Sequence, residues 1–412
     1  MKRSALAIVA LIAAATADIT GRLAVIGPVR LTVYQALVAV VAVLTVVAIR
    51  TGRIALSRSR LDLPAAAFVA TLALSLVMAH DIGLALTAFA SMLSSLVLAY
   101  LVLYLVDRPE KVPAIVWGVL AVSAIFGVAA LLEYFKLFAL QPAIVLVGSG
   151  VRSRVTFKDP NILGSFLAPA ALLGISAVPT LPAARSRLLA IAGITLTLAG
   201  IACTQSRGAF LGVAVGAAVL LLLARVPFKR KMLAVAGAVV VGAVLTAALA
   251  GNPVFRQRVL DIGSDESAMT RVWMAQSALR AWVDHPMGVG IGDFKVVYPD
   301  YADPRVRVSL TESHTMYTTL LVEIGFLGFA AAAFLALRWF GAARSALSAD
   351  DPRVSALARG TLAAGFALGA QAFTYSLEPS KYLWLVIGLG FAAERLGAGG
   401  RHERTDGSER TT

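Results

Sequence analysis

Arginine and histidine supply the residues most able to do chemistry in this chain, and they stand where long apolar runs meet polar ones. His314 lies in Glu312-Ser-His-Thr-Met-Tyr317, at the junction of a long polar stretch with an apolar run. An imidazole with an ordinary pKa of about 6.5 is largely neutral at neutral pH, so it can take a proton from an attacking hydroxyl. Tyr317, three residues on, shares its face if the run is helical. The same position also suits a structural interfacial histidine.

Arg207 falls in Thr204-Gln-Ser-Arg-Gly208, a turn between two consecutive apolar runs, and Gly208 permits close approach of a ligand or a helix. Arg152, Arg154 and Lys158 alternate through an irregular strip that ends in Asp159-Pro160-Asn161, a turn-forming sequence. Arg271 lies further on, in the long polar stretch. A guanidinium stays charged and donates paired hydrogen bonds from a planar fork, which matches the acceptor oxygens of a diphosphate. Several arginines converging would hold a lipid diphosphate. Taken singly, each also suits snorkelling to lipid headgroups.

Other residues point to structure. His80 sits in a tight turn with Asp81, and His285 precedes the helix-stopping Pro286. Asp300 and Asp303 can chelate, but acids of this kind are usually solvated. No paired His or Cys ligand spacing occurs, so no metal and no cofactor are expected. Gly288-Val-Gly-Ile-Gly292 follows a helical pattern rather than a strand, so it reads as a tight re-entrant turn and not a dinucleotide fingerprint. Trp273, Trp282, Tyr298 and Tyr301 suit interfacial anchoring or stacking on sugars. Cys203, the single cysteine, ends an apolar run and reads as packing.

The elements that must position these residues are membrane spans. Of the 412 residues 59% are hydrophobic and 15% charged, against about 25% charged in a soluble domain. The apolar runs are continuous stretches of Leu, Ala, Val and Ile, not alternations. In lipid such a run must be helical to satisfy its own backbone, which excludes a β-barrel. The expected fold is therefore all-α, a polytopic membrane helix bundle of about twelve transmembrane helices with a long helical outer loop. The spans are expected at 4–20, 31–49, 63–79, 83–106, 113–135, 161–179, 187–203, 208–224, 231–250, 315–338, 357–377 and 381–396.

Lys and Arg set the orientation. With the N-terminus inside, most basic residues fall on cytoplasmic segments, and the outer exceptions gather at 152–158 and 251–312. The formal charge of +14 thus has a topogenic share and an outer share, and no basic patch in a soluble domain suggests nucleic-acid binding. The chain divides into N-terminal transmembrane helices at 1–150 and central transmembrane helices with basic outer turns at 151–250. A periplasmic loop domain follows at 251–313, then C-terminal transmembrane helices at 314–396 and a disordered cytoplasmic tail at 397–412. Within the loop, Ser264-Asp-Glu-Ser starts an amphipathic helix whose apolar stripe is Met269, Val272, Trp273, Leu279, Trp282 and Val283, with Arg271 and Arg280 on its polar face.

Five motifs follow one another in the chain: Thr204-Gln-Ser-Arg-Gly-Ala-Phe-Leu-Gly, Arg271-Val-Trp-Met-Ala, His285-Pro-Met-Gly-Val-Gly-Ile-Gly-Asp-Phe294, His314-Thr-Met-Tyr and Glu323-Ile-Gly-Phe-Leu-Gly328. Their order resembles the O-antigen ligase and polymerase superfamily of polytopic membrane glycosyltransferases. The likeness spans roughly residues 150–330, whereas residues 1–140 are similar only in being hydrophobic spans. It departs from the family pattern at Thr315, where many members have Asn after the His, and at Asp159 before Pro160-Asn161.

The resemblance implies a GT-C-like inner-membrane enzyme with a periplasmic active site and both termini cytoplasmic. The donor would be a glycan on undecaprenyl diphosphate, and the acceptor a sugar hydroxyl of lipid A-core. Carried over by position, Arg207 contacts the donor diphosphate, Arg271 helps from the loop, and His314 is the catalytic residue. Arg152, Arg154, Lys158 and Tyr317 complete the expected substrate-binding set, with membrane lipids as surroundings and no nucleic acid. A polymerase or protein O-oligosaccharyltransferase of the same superfamily is the nearest alternative. The absence of an outer-loop Arg-x15-Gly pattern and of a large C-terminal soluble domain favours the ligase. A lipid-linked glycan transporter would be expected to place its ionisable residues near the bilayer midplane instead.

Overall fold

A computed structural model of the chain describes residues 7–13, 22–26, 29–138, 145–147, 150–232, 237, 266–306, 315–377 and 379–409. The fold is a polytopic membrane bundle of helices. Six described segments are long and apolar enough to cross a bilayer: Val33–Arg50, Ile82–Leu105, Pro109–Tyr134, Pro160–Thr180, Ala184–Thr204 and Met316–Ser348. Asp62–Val77 and Arg207–Leu223 are apolar but shorter. The expected count of twelve is met only in part. Most of 231–250 and much of 4–20 lie outside the described residues, and the last two helices carry charges such as Arg353, Arg359, Glu394 and Arg395.

The hairpin of β1 (Arg22–Ile26) and β2 (Val29–Thr32) leads into α1 (Val33–Arg50), where Thr32 and Gln35 form a capping box. Next come α2 (Asp62–Val77), α3 (Ile82–Leu105) and α4 (Val112–Tyr134). A second hairpin, β3 (Val145–Val147) with β4 (Gly150–Arg152), precedes α5 (Pro160–Ala177), α6 (Ala184–Thr204) and α7 (Arg207–Leu223). The long loop contributes α8 (Glu266–Asp284) and α9 (Phe294–Tyr301). The chain ends with α10 (Met316–Ser345), α11 (Pro352–Gln371) and α12 (Lys381–Glu409).

Two features stand beside the sequence-based expectation. The pair of short antiparallel hairpins adds strand to a fold expected to be all-α; their Val, Ile and Leu content suits a pleated ribbon. The final helix runs to Glu409, past Gly397 where composition suggested that order ends, and no proline interrupts that stretch.

α5 is the axis of one half of the bundle. It packs on α4, α6, α7 and α11 and buries nearly every side chain along its length. α12 links this half to the other through α3, α10 and α11, while α10 packs on α2. α4 and α6 meet through small residues. A Cβ on Gly127 would overlap the Leu196 carbonyl, and one on Gly200 would lie 2.7 Å from the Cα of Gly127. Beside them Ser123 Oγ and Thr197 Oγ1 are 3.0 Å apart, a hydrogen bond across the two helices. In lipid, where apolar burial between helices gains little, close backbone approach and such polar contacts hold the pair. This crossing brings the C-terminal ends of α4 and α6 together, and the basic strip is fastened there.

Candidate active site

The site grows out of the turn between α6 and α7. Gln205 takes a left-handed conformation (φ 51°), which ends α6 and reverses the chain. Ser206 then caps α7, its hydroxyl accepting the Ala209 N–H at 3.3 Å, a cap worth about 1 kcal/mol. Arg207 is the first residue of α7 and is half-buried. A Cβ on Gly208 would overlap the hydroxyl of Thr374, so the start of α7 is seated on the turn that follows α11.

The strip that contains Arg152 is bound to the same turn. Arg152 is buried, donating from Nε to the Thr204 carbonyl at 3.1 Å and from Nη2 to Asn161 Oδ1 at 3.2 Å. The Ser153 N–H reaches the Cys203 carbonyl at 3.1 Å, and Gln205 Nε2 reaches the Val151 carbonyl at 3.4 Å. Arg154 donates from Nη1 to the Lys158 carbonyl at 3.4 Å, while the Lys158 side chain is exposed. Asp159 caps α5, accepting the Asn161 N–H.

The start of α10 lands on that seat as well. Thr315 is its N-cap, the Met316 N–H donates to the Ala372 carbonyl at 2.9 Å, and Thr319 Oγ1 lies 3.0 Å from Ser376 Oγ. Tyr317 is tied down twice: its hydroxyl donates to the Gly369 carbonyl at 2.8 Å, and its ring lies 4.6 Å from that of Phe373. A hydroxyl so engaged anchors α10 on α11, so any contact of Tyr317 with a substrate would fall to its ring. His314 lies outside the described residues, one position before the capping Thr315. Three chain-distant blocks, 151–161, 204–208 and 315–319, are thus joined around the end of α11.

The long loop approaches through its glycine run. The N–H groups of Val289 and Gly290 donate to the carbonyls of Val322 and Glu323 at 2.9 and 3.0 Å, and the Phe326 N–H donates to the Pro286 carbonyl at 3.1 Å. α10 is broken at this point, because Gly325 (φ 68°, ψ −176°) leaves the helix to let the 286–290 backbone in. Glu323 accepts the Gly292 N–H at 2.8 Å. Asp293, fully buried, accepts the N–H groups of His80 and Asp81, and His80 Nδ1 lies 3.2 Å from the Val289 carbonyl. The glycine run therefore enters the bundle between the start of α3 and the break in α10.

Arg271 is half-buried on α8, which packs on α10. The buried face of α8 is Met274, Ala278 and Ala281, whereas Met269, Val272, Leu279 and Val283 of the expected stripe are exposed. Of that stripe Trp282 does pack against the buried face, and the small Ala278 and Ala281 let α8 approach closely. Asp303 is buried and held by Arg305 at 2.8 Å, with Arg280 at 3.6 Å, and Arg305 covers the ring of Trp273 at 4.7 Å. The hydrogen bonds from Arg305 hold the Asp303 carboxyl well below the usual carboxylate range.

Three residues that sequence reasoning passed over hold this end together: Glu133, Asp293 and Glu323. Glu133 carried a signal, as a carboxylate near the end of an apolar run. Asp293 and Glu323 stood inside noted motifs without a role.

Residues 192–333 match the O-antigen ligase family model. The O-antigen ligase match takes in the second half of α6, all of α7 to α9 and most of α10, and with them Arg207, Arg271, His314 and Tyr317. Arg152, Arg154 and Lys158 precede it in the chain but are bonded to its α6–α7 turn. The matched family is one of membrane enzymes that join glycans. No curated protein matches the chain.

Proposed function

We propose that this protein is an O-antigen ligase that transfers a glycan from undecaprenyl diphosphate to a sugar hydroxyl of lipid A-core on the periplasmic face of the inner membrane. The observation that carries the proposal is the joining of the Arg152–Asn161 strip, the Arg207 turn and the start of α10 around the end of α11. In that arrangement Arg207, Arg152 and Arg154 grip the diphosphate, with Arg271 reaching in from the loop and Lys158 at the exposed rim. His314 takes the proton of the acceptor hydroxyl as its oxygen attacks the anomeric carbon from the face opposite the leaving group. The C–O bond to the diphosphate breaks and the configuration inverts. The departing diphosphate carries the negative charge, which the guanidinium groups neutralise in place of a divalent cation.

The test uses purified protein, lipid-linked glycan and lipid A-core with chelator present. Wild type should join the two lipids, and Arg207→Ala and His314→Ala should fail to do so while remaining folded. Equal rates in all three would overturn the assigned site, and loss of wild-type activity on chelation would overturn the cation-free leaving group. Joining of two lipid-linked glycans, with lipid A-core left untouched, would identify a polymerase.

A further inference from the structure

The strip that carries Arg152 and Arg154 contains a backbone anomaly that nothing in the transfer chemistry explains. Val155 has φ 54°, a left-handed conformation that a β-branched residue adopts only where its surroundings impose it. What imposes it is a carboxylate. Glu133, at the end of α4 and 1% exposed, accepts the consecutive N–H groups of Arg154 and Val155 on a single oxygen, Oε2, at 2.9 and 2.8 Å. Its other oxygen, Oε1, is buried without a hydrogen-bond partner, and no ion pair of Glu133 is found among the described residues. A buried carboxylate is costly to keep, and here its described hydrogen bonds all go to the backbone of the strip. One residue back, the Ser153 hydroxyl donates to the Ala130 carbonyl at 2.7 Å, so α4 holds the strip at two successive points.

We propose that Glu133 is the positioning residue of the diphosphate site, a role that rests on the function proposed above. By clamping two N–H groups it forces the chain to turn at Val155. That turn sends Arg152 down onto Thr204 and Asn161 beside the Arg207 turn, while Arg154 leaves toward Lys158. Without the clamp Val155 relaxes to an extended conformation and the spacing of the two guanidinium groups is lost. The glutamate itself touches no substrate.

The experiment measures binding of undecaprenyl diphosphate to the purified full-length protein in detergent. Glu133→Met keeps the volume and removes the acceptor, and should weaken binding about tenfold or more. Glu133→Gln retains an acceptor oxygen and should stay within about threefold of wild type. The decisive variant is Glu133→Met combined with Val155→Gly, since glycine takes a positive φ without a clamp and should restore most of the lost affinity. Affinity is measured on the folded fraction, so a role in stability alone would lower the yield of folded protein and leave its affinity unchanged. Unchanged affinity in Glu133→Met, no recovery in the double variant, or loss of folded protein in both single variants would each overturn the inference. Arg207→Ala separates the two levels. If it weakens binding while Glu133→Met does not, only the positioning role falls, and if neither does, the site itself is wrong.

Discussion

The two ends of the bundle use their carboxylates differently. At the end holding the 105–111 and 351–353 connections, acids face bases. Arg60 meets Glu394 at 2.9 Å, Lys111 meets Asp107 at 2.6 Å, and Arg353 meets Asp351 at 2.6 Å and Glu110 at 3.5 Å. At the end holding Arg207, Asp303 of the long loop pairs with Arg305 and Arg280, but Glu133, Asp293 and Glu323 accept backbone N–H groups from chain-distant segments, and Asp159 and Asp81 cap helices. An ion pair ties one side chain to another and leaves the backbone free, whereas a carboxylate on N–H groups fixes the course of a loop. The second device is what an end built from irregular segments needs, because its hairpin, turn and re-entrant run lack a helix's internal hydrogen bonds. The ion-paired end joins helices by short connections, and there carboxylates meet the backbone only locally, Asp351 accepting the Arg353 N–H and Asp62 the Ser59 N–H, both at 2.8 Å.

The largest effect that would sharpen this contrast is catalytic. His314→Ala should lower the turnover of glycan transfer by about 10²- to 10⁴-fold, the range of a lost general base, with the fold intact by circular dichroism. Next comes the packing of the re-entrant run. A Cβ on Gly325 would overlap the Met287 backbone, and its φ is positive, so Gly325→Val should cost about 3 kcal/mol or more and lower the midpoint of thermal unfolding in detergent.

A smaller and pH-dependent effect is expected in the long loop. The folded pKa of Asp303 is depressed by Arg305, so its contribution is present above the unfolded value and lost as pH falls through the folded one. Proteolytic protection of 266–306 should therefore hold steady from about pH 8 to 5 and weaken only below about pH 4. In Asp303→Asn that acid-induced step should disappear. The smallest effect belongs to the ion-paired end. Arg60 is well exposed, and Arg60→Ala should cost less than about 1 kcal/mol and leave transfer unchanged. A large loss there would break the contrast.

Much of this was legible in the sequence. The continuous apolar runs marked helices, and the caps Asp81, Asp159 and Ser206 stand where turn-forming residues precede those runs. Arg207 followed by Gly208 announced a charged turn in close contact with a neighbour, and the neighbour is Thr374. The rest depends on partners distant in the chain. Nothing local to Asp293 says that it will accept N–H groups from residues 80 and 81, and Gly325 looks like any packing glycine until the Met287 backbone is beside it. The side of α8 that is buried was not legible, because large apolar residues dominate its periodicity while Met274, Ala278 and Ala281 are the ones packed inside. Arg152 drew notice as one of several alternating cations, but its burial against Thr204 follows from the α4–α6 crossing, which only tertiary packing reveals.

In the proposed function the Arg207 end, and not the ion-paired end, receives the lipid diphosphate. A photoactivatable undecaprenyl diphosphate analogue, cross-linked to the protein in membranes and mapped by peptide mass spectrometry, tests it most directly. Labelling is expected within residues 151–161 and 204–210, reduced by competing undecaprenyl diphosphate and by Arg207→Ala. Labelling concentrated at 105–111 and 351–359, or indifferent to both the competitor and Arg207→Ala, would contradict it.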